Sequence, residues 1–389
     1  MYSGRRFTDR MVRVVAVGGL TTTGVLVCAL AWSWAYFFRM TEGAARFEPL
    51  PRVVRAGAGA SPLEVEYKLE LPGRGEIFPA LASERGRVSD YWPAAVLTIS
   101  NTSDRPVAQA VTAEIPGWSR VAREEMVIAP RQTRKLELNP ALLPAALGNG
   151  EIRNAELHVA VTGTGDSPAF DATRPLLIHS ASDLYWGQRF ANAQFIARWV
   201  TPHDAAVLKL VGEARAFAAN GRLGGYNPPA DARAQARAVF EALRGSGISY
   251  VSSIFTFGNF TGDAQRVRLP RETLTLASAN CIDVSVAFAS AMENIGLAPV
   301  IVIIPGHAFT GVRLAPNARD ILYLDLTVLP RGSFERAAER AQYWLKKSKP
   351  EEVLMVDVST ARSLGIYPLP DAPGTVVAER QGAAAGDQR

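Results

Sequence analysis

The hydrophobic pattern changes from a period of two residues to a helical period at about residue 179, and this change divides the chain. Between residues 62 and 178, short alternating runs are separated by turn residues. LEVEYKLEL stops at a Pro-Gly pair, and AVLTIS is followed by the turn-rich NTSDRP. Several short strands at this spacing favour an antiparallel β-sandwich, which we therefore predict for residues 62–178.

Beyond residue 179 the apolar residues first follow a helical period. DAAVLKLVGEARAFAAN and ARAQARAVFEALRG have apolar positions at helical spacing, and each ends at a glycine. CIDVSVAFASAMENIG predicts a third helix, and three strands follow in APVIVIIPG, HAFTGVRL and ILYLDLTVL. Helices followed by a run of antiparallel strands indicate an α+β domain, which we assign to residues 179–348.

The N-terminal region contains a long uncharged segment. Residues 14–38 are 25 residues without a charged side chain, enough for a helix to cross a hydrocarbon layer of about 30 Å. Aromatic residues close the segment, a pattern typical of a membrane interface. Four arginines precede it, so the positive-inside rule keeps residues 1–13 in the cytoplasm.

These features predict a single-pass inner-membrane protein with most of its mass in the periplasm. Its partners would be the membrane itself, through residues 14–38, and neighbouring membrane proteins. The opposite topology stays open, because Arg39 and Arg46 follow the segment. Residues 39–61 are rich in Gly, Ala and Pro and are predicted to be a linker. We take residues 349–370 as a C-terminal extension and residues 371–389 as a disordered tail.

Charge and composition exclude several classes of function. The net charge is +5, but six arginines and two acidic residues place +4 of it within residues 1–46, so no basic face for nucleic acid is indicated. Two cysteines exclude a disulfide scaffold and a zinc site of several thiolates. His203 and Asp204 lack further spaced ligands, and GRLGG lacks the flanking strand and lysine of a phosphate-binding loop. We therefore predict no metal and no cofactor.

Three residues form a candidate catalytic set. Cys281 begins a predicted helix that Asn280 can cap, and the positive end of a helix favours a thiolate, so we expect a lowered thiol pKa. His307 opens a strand and Asp325 lies within the next one, so adjacent strands can bring their side chains together. A nucleophilic thiol needs an imidazole base, and that imidazole needs an acceptor to orient it.

Each of these residues also has a purely structural explanation. A lone cysteine on an apolar helix is usually a small core residue, and a histidine beside a glycine can simply end a strand. A carboxylate in a strand flanked by leucines is less easily explained, because a buried carboxylate needs a partner. The three residues in this order favour a Cys-His-Asp triad over three unrelated positions.

The segment around these residues resembles the core of the transglutaminase-like superfamily, which shares the papain-like thiol fold. The resemblance covers about residues 233–330 and rests on the sequence ANCIDVSVAFASAMENIG, the Gly-His-Ala segment at 306–308 and YLDLT. It implies that Cys281 is the acyl-accepting nucleophile, that His307 is the general base and acid, and that Asp325 orients the imidazole. Ala-Asn before the cysteine, where the family has a glycine, is a departure from that pattern.

Two further expectations accompany this resemblance. The strand, turn and strand of AVLTISNTSDRPV resemble the immunoglobulin-like modules of bacterial surface proteins, which usually space, orient or bind. The oxyanion of an acyl-transfer intermediate would need the backbone N–H of Cys281 and one further donor. Gln265, Asn280 and Trp199 are the candidates for that donor.

The sequence therefore predicts an α+β protein with an N-terminal transmembrane helix, a β-sandwich and a papain-like, transglutaminase-like domain. The predicted reaction is acyl transfer or hydrolysis at an amide or peptide bond of a protein or peptide substrate. Hydrolysis is preferred, because water needs no second binding site. The alternative is a non-catalytic, membrane-tethered binding or scaffold protein with the same fold.

Overall fold

The first half of the folded chain consists mainly of short strands. The computed structural model describes residues 53–56, 62–68, 75–82, 94–163, 168–187, 190–227, 231–251, 264–316, 318–329 and 331–369. Its elements up to residue 187 are β1 (Val53–Ala56), β2 (Leu63–Lys68), β3 (Glu76–Ile77), α1 (Pro79–Ala82), β4 (Ala95–Asn101), β5 (Val107–Glu114), β6 (Ala122–Ile128), β7 (Thr133–Leu138), α2 (Pro144–Leu147), β8 (Arg153–Thr162), β9 (Pro168–Ile178) and β10 (Asp183–Tyr185).

Two sheets of this region pack face to face. One has the strand order β1-β2-β4-β7 and the other β3-β9-β8-β5-β6, with β3 parallel to β9 and the other pairs antiparallel. In β2 the alternation is direct, because Leu63 and Val65 are buried while Glu64 between them is exposed. The buried residues of both sheets form a single hydrophobic cluster, which includes Leu97, Ile99, Val111 and Val159.

The second half begins with helices and ends with a second sheet. Its elements are a 3-10 helix (Ala193–Trp199), α3 (Ala205–Ala214), two short 3-10 helices (Arg215–Phe217 and Ala219–Gly221), α4 (Ala232–Gly245), β11 (Ser249–Tyr250), β12 (Ala264–Arg266), α5 (Pro270–Leu276), β13 (Ser278–Ala279), α6 (Cys281–Asn294), β14 (Pro299–Ile304), β15 (His307–Arg313), β16 (Ile321–Leu324), a 3-10 helix (Leu326–Val328), α7 (Phe334–Lys347), a 3-10 helix (Pro350–Glu352), β17 (Leu354–Asp357) and α8 (Val358–Ser363).

Helix α6 lies at the centre of this half and packs against strands β14 and β15. Every residue from Cys281 to Met292 is buried, which explains why the helix carries so few charged side chains. One side of the helix, with Cys281 and Val286, joins the cluster that holds Ile301 and Ala308. The other side, with Phe288, joins a second cluster beside α4. The helix is therefore held on both sides, and its first turn cannot shift freely.

The sheet next to α6 has the order β16-β15-β14-β17, and all its pairs are antiparallel. Strand β17 belongs to the segment 349–370 that the sequence analysis treats as an extension, and it pairs directly with β14. Likewise, β1 lies within the segment 39–61 that is predicted to be a linker, and it pairs with β2. Both segments thus contribute strands to the folded structure.

The fold class predicted from the sequence is corrected by the structure. The prediction is an α+β protein that begins with a transmembrane helix, whereas the described residues form a mixed α/β structure with strands in five sheets. No described helix is long and apolar enough to cross a membrane. The longest described helices have 14 residues, which is about 21 Å at 1.5 Å per residue. The predicted span, residues 14–38, lies outside the described residues, as do residues 1–13 and 371–389.

A buried histidine lies just after β9. The ring of His179 stacks on Phe78 with 3.9 Å between centroids. Its Nδ1 lies 3.4 Å from Oδ2 of Asp183, and its Nε2 lies 3.7 Å from Oε1 of Glu76. Burial lowers the pKa of His179, but the two carboxylates beside it outweigh burial and raise that pKa from 6.5 to about 9. His179 is therefore an imidazolium at neutral pH.

We expect this histidine to make stability depend on pH. Because its pKa is higher in the folded than in the unfolded chain, its contribution is complete below pH 6.5 and is lost as pH rises towards 9. The contribution is up to about 3 kcal/mol, and His179→Gln should remove it. Urea unfolding of the wild type and of His179→Gln at pH 6 and pH 9 measures this contribution. The difference between their free energies of unfolding should be smaller at pH 9 than at pH 6. An equal difference in unfolding free energy between wild type and His179→Gln at both pH values would refute the assignment.

Candidate active site

Cys281 occupies the first position of helix α6, and the residues around it define the helix start. Asn280 is the N-cap: its Oδ1 accepts hydrogen bonds of 3.0 Å from the backbone N–H groups of Ile282 and Asp283. In return, Oδ2 of Asp283 accepts from the backbone N–H of Asn280, and Oδ1 accepts from Arg268 N–H. The capping box places Cys281 where the sequence predicted it, at the end of a fixed helix.

The thiol of Cys281 is 2% exposed, and its protonation state differs from the expectation. Burial raises its pKa from 9.0 to about 12, although the backbone N–H groups of Ala308 and Ile282 act in the opposite direction. The negative charge of Asp325 raises the pKa further. The predicted lowering of the pKa is therefore wrong for this structure, because the loss of water around the sulfur outweighs the positive end of the helix. At neutral pH Cys281 is a neutral thiol.

His307 begins β15, and Asp325 directly follows the adjacent strand β16, so the register explains how they meet. The expectation that Asp325 lies within the strand is wrong, because β16 ends at Leu324 and Asp325 caps the 3-10 helix Leu326–Val328. Thr310 of β15 pairs with Leu324 of β16, and continuing this register places Asp325 opposite Phe309. His307 is two residues before Phe309 in β15, so its side chain lies on the same face of the sheet as those of Phe309 and Asp325. Its Nε2 lies 3.0 Å from Oδ2 of Asp325, in a buried hydrogen bond. The structure thus joins these two predicted residues directly.

The carboxylate of Asp325 accepts hydrogen bonds on both oxygens. Oδ1 accepts from the backbone N–H of Thr327 at 3.1 Å and from its hydroxyl at 2.6 Å. Oδ2 accepts from His307, from Nε of Arg340 and from Nε1 of Trp344, each at 3.0 Å. Burial raises the pKa of Asp325, but the hydrogen bonds and charge of His307, together with Thr327, overcome this and lower it from 3.8 to about 2. Asp325 is therefore ionised at neutral pH.

The ionised carboxylate decides the tautomer of His307. Because Asp325 can only accept, Nε2 of His307 carries the hydrogen, which leaves Nδ1 as the nitrogen that can take a proton. His307 begins β15, and the next residue along, Ala308, turns its backbone N–H towards the Cys281 sulfur. Among the residues that the structure describes, no hydrogen bond joins the sulfur to the imidazole. The strand that begins with His307 therefore contacts the sulfur through the backbone of Ala308, and within the described ranges the thiol and the imidazole form no ion pair.

Of the three predicted oxyanion donors, Gln265 and Asn280 have other partners, whereas Nε1 of Trp199 is buried without a hydrogen-bond partner among the described residues. Gln265 is buried in β12, and its Nε2 donates to the backbone oxygen of Arg266. No hydrogen bond between Gln265 and Cys281 occurs within the described ranges. Asn280 lies next to the thiol but uses its side-chain oxygen to cap the helix. Trp199 is buried in the same hydrophobic cluster as Cys281. The backbone N–H of Cys281 is the one candidate that already lies at the sulfur.

Three side chains at the site were missed by the sequence analysis. Arg340 and Trp344 lie four residues apart on α7, a spacing that puts them on one helix face, but the sequence does not say what that face meets. Tyr250 is opposite Ala279 in the pairing of β11 with β13, and its phenol interacts with the Cys281 thiol. Burial, followed by the charges of Cys281 and Asp325, raises the pKa of Tyr250, which is 43% exposed.

In the described part of the chain, no group of three His, Cys, Asp or Glu side chains could hold a metal ion. The donors that surround Asp325 are cations or neutral N–H and O–H groups, which compete with a cation for the same oxygens. These donors hold both oxygens of Asp325 and fix the position of the His307 ring.

Comparisons with known proteins do not assign this chain to a family. No protein-family model and no curated protein matches it. Among solved structures, the exo-chitosanase CsxA of Amycolatopsis orientalis is 12% identical, over 34% of this chain and 12% of that chain, with a TM-score of 0.18. Two structures of that enzyme in complex with PNP-beta-D-glucosamine give the same values. A similarity this weak carries no argument, and the function has to be inferred from the site itself.

Proposed function

We propose that the protein is a thiol enzyme of the transglutaminase-like type, which transfers or hydrolyses the acyl group of an amide or peptide bond through Cys281. The observation that carries this proposal is the buried 3.0 Å hydrogen bond between His307 and Asp325. It orients the imidazole of His307 at the start of strand β15. The backbone N–H of the next residue in that strand, Ala308, faces the sulfur of Cys281, the first residue of helix α6. A thiol, a base and a residue that orients the base are the groups that acyl transfer requires.

The first step would begin from a neutral thiol. As the sulfur attacks the carbonyl carbon, its proton moves to Nδ1 of His307, and a tetrahedral oxyanion forms. The first N–H groups of a helix have no partner within the helix, and those of Ile282 and Asp283 donate to Asn280. This leaves the N–H of Cys281 to donate to the oxyanion.

The intermediate then collapses, and the C–N bond to the leaving group breaks. The leaving amine takes the proton from Nδ1 of His307, and the acyl group remains on Cys281 as a thioester. In the second half, His307 removes a proton from water or from an amine, which attacks the thioester and releases the thiol. Throughout, Asp325 keeps its charge and holds Nε2 of His307.

Trapping an acyl-enzyme tests the proposal without knowledge of the natural substrate. The protein is mixed with p-nitrophenyl acetate, quenched in acid and digested, and the acetylated residue is identified by mass spectrometry. We expect a burst of nitrophenol and an acetyl group on the peptide that contains Cys281. His307→Ala should slow the burst by about 10²–10⁴-fold, the usual contribution of a general base. Cys28→Ser, which removes the other of the two cysteines, is the control and should leave the burst unchanged. Acetylation confined to lysines would refute the proposal.

The alternative is a binding protein that uses the same fold without catalysis. The burial of Cys281 and its raised pKa favour this alternative, since both are typical of structural cysteines. In that case p-nitrophenyl acetate would leave Cys281 unmodified in the folded protein and would react with it only in urea.

Adding glycinamide after the acylation step distinguishes transfer to an amine from hydrolysis by water, because a transferase would form the acyl amide faster than the free acid.

A further inference from the structure

Helix α7 supplies a second partner for the carboxylate that orients His307. Nε of Arg340 and Nε2 of His307 both lie 3.0 Å from the same oxygen, Oδ2 of Asp325. The side chain of Asp325 is 0% exposed, whereas that of Arg340 is 44% exposed. The guanidinium thus reaches from the surface into the site and pairs with a carboxylate that has no access to water.

The charges of this cluster are balanced before any proton moves. Arginine is protonated at all relevant pH values, so Arg340 and the ionised Asp325 sum to zero. When His307 takes up a proton, a second positive charge appears next to the guanidinium. An aspartate without the arginine would attract that proton strongly, as opposite charges at such distances favour the charged form. Arg340 opposes this attraction.

We infer that Arg340 is a positioning residue that acts through Asp325 to keep His307 in its neutral, proton-accepting form at neutral pH. The importance of this role for catalysis rests on the proposed function, because only a neutral imidazole can accept the proton of the Cys281 thiol. It assigns a role to α7, a helix outside the resemblance on which the triad was predicted.

The other titratable and charged groups near His307 come from three elements. Helix α6 contributes the Cys281 thiol, and β11 contributes the phenol of Tyr250, which interacts with Cys281, Asp325 and Arg340. Helix α7 also carries Lys347, whose Nζ is 5.5 Å from the ring centroid of Trp344. The Trp344 ring in turn lies 5.0 Å from the ring of His307, between centroids. Thiol and phenol are neutral at neutral pH, and Lys347 keeps its charge in every variant compared below.

The experiment is the pH dependence of Cys281 acetylation by p-nitrophenyl acetate in three proteins. In Arg340→Met the acidic limb of the rate profile should move to higher pH by about one unit, because the imidazolium is no longer opposed by a positive charge. Arg340→Lys keeps the positive charge, so its acidic limb should lie close to that of the wild type. An Arg340→Met profile with an unmoved limb and a lower rate at every pH would overturn the inference and leave Arg340 with a structural role.

Two control variants separate charge from packing. Arg336→Met removes an arginine one turn earlier on the same helix, where it is exposed and pairs with Glu339, and should leave the limb in place. Trp344→Phe removes a neutral donor to Oδ2 of Asp325. It should lower the acetylation rate but should not produce the one-unit shift of the acidic limb expected for Arg340→Met. A shift as large in Arg336→Met as in Arg340→Met would overturn the inference, because it would show a general effect of surface charge.

A second readout does not depend on enzymatic activity. In protein labelled with ¹³C-histidine, the His307 signal is identified by its loss in His307→Gln, and its titration midpoint is followed by NMR. The midpoint should rise by about one pH unit in Arg340→Met and return in Arg340→Lys. If the wild type is never acetylated on Cys281, the proposed function fails while this measurement still decides the role of Arg340. An unchanged midpoint would reject that role whatever the activity.

Discussion

Cys281→Ala should abolish acylation of the protein while leaving it folded. With no sulfur there is no thioester, and the rate of nitrophenol release should fall at least about a thousandfold, to the level of unassisted hydrolysis. Cys281 belongs to the cluster that includes Ile301 and Ala308, so removing its sulfur leaves a small cavity. We expect a loss of roughly 1 kcal/mol in the free energy of unfolding, which a fully folded α6 tolerates. Stopped-flow release of nitrophenol and urea unfolding measure the two effects.

A matched control lies one turn further along the same helix. Ser285 is also fully buried, and its hydroxyl donates to the backbone oxygen of Cys281. Ser285→Ala therefore makes a change of similar size in the same helix but keeps the sulfur of Cys281, and the burst should remain. Residual acylation in Cys281→Ala equal to that of the wild type would show that the nitrophenol comes from another residue and would end the proposal of a thiol enzyme.

Asp325→Ala should be the most destabilising single substitution at the site. It leaves the guanidinium of Arg340, the imidazole N–H of His307 and the indole N–H of Trp344 without their shared acceptor. Removing one partner of a buried ion pair typically costs about 3–5 kcal/mol, and the half-exposed Arg340 places the effect at the lower end, because its charge can turn to water. Acylation should fall as well, since His307 loses its orientation.

Asp325→Asn should not rescue the protein, although it keeps the shape of the side chain. Its amide NH₂ would have to face either Thr327, whose backbone N–H donates to Oδ1, or the three donors at Oδ2. Either orientation sets a donor against a donor, so we expect most of the destabilisation of Asp325→Ala. Thermal unfolding of the two variants and the wild type at neutral pH makes the comparison. Full stability of Asp325→Asn would show that the charge of Asp325 is not what the surrounding donors require.

Acid should act on the wild type through the same carboxylate. Because the pKa of Asp325 is lowered from 3.8 to about 2 in the folded chain, its contribution to stability is complete above pH 4 and is lost as the pH falls from 4 to 2. The difference in free energy of unfolding between wild type and Asp325→Ala should therefore decrease as the pH falls from 4 to 2, which urea unfolding at both pH values measures. This dependence runs opposite to that of His179, whose contribution is lost on the alkaline side.

Much of the local structure could be predicted from the sequence. The alternation of LEVEYK and AVLTISN corresponds to strands β2 and β4, and the cap and glycine that bound CIDVSVAFASAMEN correspond to the ends of α6. Short-range rules decide these features, since a two-residue period or an Asn at an N-cap acts within a few residues. The order Cys281, His307, Asp325 could also be predicted. Cys281 and His307 begin their elements as expected, whereas Asp325 lies just after β16 and not within it. Their catalytic roles stay a prediction.

What only the tertiary structure decided is the electrostatic state of those residues. A helix N-terminus favours a thiolate, but whether water reaches the sulfur depends on packing from distant segments, and burial raises the pKa of Cys281 to about 12. Similarly, Arg340 and Trp344 share a helix face in the sequence, yet only the docking of α7 brings that face to Asp325. Identity and order of the reactive groups are properties of the chain; their charge depends on neighbours that the fold brings together from far apart along it.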